Sequence, residues 1–102
     1  MTTTELEQIR AGDHWLCRLA EEINADVSIA IRNPGFADKT PAEIALQWIA
    51  EKAEAENIHQ GAKITVRCYP WEKSRIIRAA KGEKLEDWTR KTLIEKAFSE
   101  TE

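Results

Sequence analysis

From Leu16 onward the apolar residues run Leu16, Leu19, Ala20, Ile23, Val27, Ala30 and Ile31, a spacing that keeps one helix face for four turns. This predicts one long helix, with Asp13 as its N-cap and Asn33-Pro34-Gly35 as its stop. A strand over 27–31 competes, because Val27, Ile29 and Ile31 alternate with small residues, but the unbroken helical phase favours the helix. Before it, MTTTELEQIR predicts a short helix capped by Thr4, broken at Ala11-Gly12-Asp13. Thr40-Pro41-Ala42-Glu43 is a capping-box pattern with proline at the first helical position. Ile44, Ala45, Trp48, Ile49 and Ala53 then line one side of a helix ending near Asn57. The two main helices are expected to pack as an antiparallel hairpin through Leu19, Ile23, Val27, Ile44, Trp48 and Ile49.

The spacing changes at Ala62–Pro70, AKITVRCYP, where it falls to two. Along an extended strand Ile64, Val66 and Cys68 point one way, and Lys63, Thr65 and Arg67 the other. A single strand can neither bury its apolar side nor satisfy its edges alone. No other stretch of the chain reads as its partner, so the expected partner is the same strand of a second copy. Pro70 opens a helix over 71–81, WEKSRIIRAAK, with Ile76, Ile77, Ala79 and Ala80 apolar and Gly82 as its stop. A last helix is predicted over 85–98, with Leu85, Trp88, Ile94, Ala97 and Phe98 apolar and Glu86 and Asp87 in its first turn.

Strand, helix, glycine-containing link and second helix within about 40 residues resemble the ribbon-helix-helix (Arc/MetJ) DNA-binding family. The residues that carry the resemblance are Ile64-Thr65-Val66-Arg67, Pro70-Trp71-Glu72-Lys73, Leu85-Glu86-Asp87-Trp88 and Leu93, and it covers residues 62–98. It implies that Lys63, Thr65 and Arg67 read bases from a ribbon in the major groove, and that the start of the last helix clamps a phosphate. Lys73, Arg75 and Lys84 are the accompanying phosphate candidates, and Ile64, Val66, Cys68, Ile77, Leu85 and Trp88 the dimer core. The chain departs from the family where Lys84 and Glu86 replace small hydroxyl residues. Lys84 offers a new phosphate contact, while Glu86 and Asp87 repel one.

With 102 residues, 42% apolar and 32% charged, this is the composition of a globular chain, and its net charge of −3 argues against nucleic acid at first sight. That mean hides an asymmetry. Residues 1–60 hold 5 Lys/Arg against 11 Asp/Glu, whereas residues 61–102 hold 10 against 7. Phosphate attraction is screened beyond about 10 Å, so the positive C-terminal part decides. The same shift sets the boundary between a helical region, 1–60, and a ribbon-helix-helix region, 61–102, near NIHQG. No membrane span or charged-then-apolar leader is read, and two cysteines suit a reducing compartment, so the expected location is the cytoplasm.

Catalytic chemistry finds no foothold, and the chain is expected not to be an enzyme. His14, Cys17, His59 and Cys68 are the only residues suggestive of zinc; Cys68 fits an apolar ribbon face and His14 a helix cap, so no metal or cofactor is expected. Phosphate loops, nucleophile elbows and dinucleotide fingerprints are lacking. Of the four tryptophans, Trp48 and Trp88 fall in apolar phase and read as core. Trp15 and Trp71 sit at helix starts and are expected to be partly exposed, with Trp71 packed under the ribbon or against the N-terminal hairpin in preference to stacking on a base.

The expected protein is thus mainly α, an N-terminal helical hairpin followed by a ribbon-helix-helix whose one strand pairs across a homodimer. The expected function is sequence-specific DNA binding as a dimeric transcriptional repressor, with residues 1–57 free to hold a protein partner. One alternative is an antitoxin that represses its own operon. The other is a dimeric interaction protein that does not bind DNA, for which Glu86, Asp87 and the acidic first half argue.

Overall fold

The computed structural model describes residues 2–99. Six α-helices run in order: α1 (Thr3–Ala11), α2 (Trp15–Ile23), α3 (Val27–Arg32), α4 (Pro41–Ala55), α5 (Pro70–Ala79) and α6 (Leu85–Ser99), with a 3₁₀ turn at Pro34–Phe36. Local chemistry accounts for most of the boundaries. Thr2, not Thr4, caps α1 by accepting from the Glu5 N–H, and Gly12 ends that helix at a φ of 82° where a side chain would be strained. In the Thr40 capping box, the Glu43 N–H donates to Thr40 Oγ1 and the Thr40 N–H to Glu43 Oε2, each at 3.3 Å.

The expected long helix is divided in two. Asn24 takes a left-handed conformation and closes α2, and Asp26 caps α3 by accepting from the Ser28 N–H at 2.9 Å. Asparagine as a C-terminal cap and aspartate as an N-terminal cap satisfy backbone groups locally, and both outweigh the continued apolar phase. Likewise the α2 cap is His14, one residue beyond the predicted Asp13.

The core lies where α2, α4 and α6 meet, with α1 against α3 at one side. Leu16, Leu19 and Ile44 are fully buried there, joined by Ile9, Trp15, Phe36 and Trp48. Trp15 is therefore a core residue despite its place at a helix start. Helix α6 reaches this core through Ile94 and Phe98, while Leu85 and Leu93 on the same helix stay exposed. Helix α5 buries nothing, and only Ala80, just past its end, is enclosed.

The expected ribbon-helix-helix is overturned. Among the described residues there is no strand, and residues 58–69 form an exposed arm between α4 and α5 without helix or ladder. The physical reason is that a strand exists only through hydrogen bonds to another extended backbone, and among the described residues no second extended stretch pairs with this one. The last helix is also committed elsewhere, to α2 and α4. The arm enlarges the molecule. Its radius of gyration is 14.9 Å, against about 13 Å for a compact chain of this length. Its accessible surface is 7927 Å², against about 5,900 Å² for a compact monomer of this mass.

Candidate functional site

The arm and the first turns of α5 concentrate the unpartnered chemistry. Between residues 61 and 80 stand five cations, Lys63, Arg67, Lys73, Arg75 and Arg78, and one acid, Glu72. All five cations are exposed, and among the described residues none of them makes an ion pair; the two ion pairs present are Lys52–Glu56 and Lys91–Glu83. The single carboxylate is engaged, accepting from the Tyr69 N–H at 2.9 Å through Glu72 Oε1. This is one half of a capping box; a tyrosine has no short hydroxyl to complete the other. Pro70 follows at the first helical position, and the Ser74 hydroxyl donates back to the Pro70 carbonyl at 3.1 Å. The start of α5 is thereby held, and with it the backbone that carries Tyr69 and Trp71.

Those two rings lie stacked on each other, with centroids 4.6 Å apart and planes 3° from parallel. Tyr69 is 63% exposed and Trp71 67%. Trp71 is accordingly not packed beneath anything, and Tyr69, overlooked in the sequence, is its partner. The legible signal was the tetrapeptide Tyr69-Pro70-Trp71-Glu72, two aromatics flanking a proline at a helix start.

Of the residues assigned to base reading, Lys63, Thr65 and Arg67 are all exposed on the arm. Of the phosphate candidates, Lys73 and Arg75 lie on the adjoining helix, and Lys84 sits apart at the start of α6, its carbonyl accepting from the Trp88 N–H. Of the residues assigned to a dimer core, Ile64 is 80% and Val66 71% exposed. Cys68, Ile77 and Leu85 are exposed too, and Trp88 is half-buried. Glu86 and Asp87 face solvent beside Lys84.

A second concavity, a cleft of about 890 Å³, opens between the starts of α1 and α4 and the α5–α6 link; Glu5, Lys39, Thr40, Lys81 and Trp88 line it. Two of the cations that line it are engaged within the chain: Lys91 Nζ pairs with Glu83 Oε2 at 2.6 Å, and Lys39 Nζ donates to Gln47 Oε1 at 2.6 Å.

The histidine and thiol beside α2 are structural. Buried His14 accepts from the Leu16 N–H at 3.0 Å through Nδ1, and Cys17 Sγ donates to the Ile9 carbonyl at 3.5 Å. Among the described residues no three His, Cys, Asp or Glu side chains gather to hold a metal ion. Burial raises the Cys17 thiol pKa, which keeps it in the unreactive protonated form.

Burial pulls the His14 pKa below 6.5; Glu5 and Glu95 oppose that shift and Arg18 adds to it. Since the folded state resists a proton that the unfolded state accepts, stability is greatest above 6.5 and declines as pH falls through that value. Urea midpoints measured from about pH 8 down to about pH 5.5 are expected to fall for the parent and to fall less for His14→Asn, which keeps a cap without an imidazole. Equal slopes for the two proteins contradict this assignment.

No family model matches the chain, and no curated protein or solved structure is significantly similar to it. Among the described residues no helix is long and apolar enough to cross a membrane.

Proposed function

We propose that this protein is a DNA-binding transcriptional regulator that works as a homodimer and contacts DNA through the basic arm and α5. The observation that carries this reading is the set of five exposed, unpaired cations against one engaged carboxylate over residues 61–80. Intramolecular ion pairs would have neutralised them; left free, they attract phosphates and release counterions on binding. Self-association is supported by the surface excess of roughly 2,000 Å² over a compact monomer, together with the uncovered apolar residues Ile64, Val66 and Ile77. A stable interface takes about 800 Å² from each partner, so one second copy suffices to cover them. Repression follows from occupancy of the DNA.

A second reading, a protein-binding module or antitoxin without an essential DNA contact, is favoured by the same apolar residues and by Glu86 and Asp87. A salt titration on duplex DNA separates the two. With five phosphate contacts the log–log slope is expected near about −4.5, a loss of roughly 500-fold from about 50 to 200 mM salt. Sedimentation equilibrium is expected to return twice the chain mass. A flat titration with no low-salt binding rejects the DNA reading, and a monomer at micromolar concentration rejects the homodimer.

A further inference from the structure

The stacked Tyr69–Trp71 pair has no role in a contact made only with phosphates. Both rings are more than 60% exposed, and each covers only one face of the other. The backbone that carries them is held by the Pro70 ring constraint and by the Tyr69 N–H bond to Glu72, so less backbone freedom remains to be lost when something docks on them. The platform lies within the cationic stretch of the chain: Arg67 and Lys73 stand two and four residues from Tyr69, and both are exposed.

We infer that the Tyr69–Trp71 pair is a stacking platform for an unpaired nucleobase, so that the preferred target is DNA with single-stranded or extruded bases. This rests on the DNA reading and adds the class of DNA. Charge decides the partner: an apolar protein surface gains nothing from a stretch of chain that carries five exposed, unpaired cations, whereas a single strand presents flat rings and phosphates together. Geometry decides the form of the nucleic acid. In a duplex the base faces are stacked on one another and only their edges reach the grooves, leaving nothing for an indole face to cover.

The test compares the full-length parent with Trp71→Ala, Trp71→Phe and Lys73→Ala on three probes: an oligothymidylate, a mixed-sequence duplex, and that duplex carrying a short thymidine gap. Trp15 and Trp48 are buried and Trp88 half-buried, so the intrinsic fluorescence change reports on Trp71. The parent is expected to bind oligothymidylate and the gapped duplex more tightly than the intact duplex, with quenching. Trp71→Ala should lose roughly five- to hundredfold on the two probes with unpaired bases and stay within about twofold on the intact duplex. Trp71→Phe should recover most of the loss, and Lys73→Ala should weaken all three probes alike.

Equal effects of Trp71→Ala on all probes, or none, overturn the platform while leaving DNA binding intact. A shift of Trp71→Ala from dimer to monomer assigns the rings to a protein interface and likewise overturns it. Absence of salt-dependent binding to every probe overturns both readings. Base-dependent binding to the single strand without any duplex binding sustains the platform and rejects only the duplex-bound regulator.

Discussion

Leu16→Ala is expected to remove about 2–5 kcal/mol of folding stability, the largest effect of any single truncation to alanine in this chain apart from the neighbouring core positions. Leu16 is 0% exposed and sits in the cluster where α2, α4 and α6 converge. Truncation leaves a cavity, because the cluster around it is assembled from several helices that cannot all close in. The loss matters more here than in a larger protein. A chain of this length has about 5–15 kcal/mol in total, and its last 40 residues contribute few buried side chains. Urea unfolding should show a lower midpoint with an unchanged slope. Ile64→Ala serves as the contrast: 80% exposed in the isolated chain, it should alter monomer stability by less than about 0.5 kcal/mol. A Leu16 variant as stable as the parent places the core elsewhere.

The double variant Lys63→Ala/Arg67→Ala is expected to weaken DNA binding roughly a hundredfold or more, with a salt slope shallower by about two. Both side chains are exposed and unpaired, so their removal costs no intramolecular interaction and the fold should be unaffected. The effect is larger than that of either change alone because each cation would neutralise its own phosphate or take its own base edge. Lys52→Ala is the matched control. Lys52 lies on α4, paired with Glu56 at 3.2 Å, and its loss should change DNA affinity by less than about twofold. Anisotropy titrations of a labelled duplex at two salt concentrations read both quantities. Parent-like affinity in the double variant removes the arm from the contact surface.

What each level of description decides can be traced residue by residue. Thr40-Pro41-Ala42-Glu43 foretells the start of α4 because every atom in that cap lies within four residues, and Pro70 foretells the start of α5 for the same reason. Gly12 marks the break after α1 through its left-handed backbone. The division of α2 from α3 was equally local, in Asn24 and Asp26, but a periodicity held for four turns obscured it. Within the candidate site the five cations and single acid of residues 61–80 were legible as composition, and Tyr69 was present in plain letters beside Pro70.

The arm and α6 could not be resolved this way. Residues 62–68 alternate as a strand does, yet alternation specifies only which side chains share a face in a strand; a ladder needs a second extended backbone, and the described residues supply none. On α6 apolar residues lie on more than one side, and packing against α2 and α4 selected Ile94 and Phe98 for burial while leaving Leu85 and Leu93 exposed. The stacking of Tyr69 on Trp71 likewise depends on where the folded backbone points two rings. The amino-acid order thus carried the starts of α4 and α5, the break at Gly12 and the charge of each segment, since those depend on near neighbours. Only the tertiary structure decided which apolar faces meet and which remain open, because that depends on surfaces brought together from distant parts of the chain.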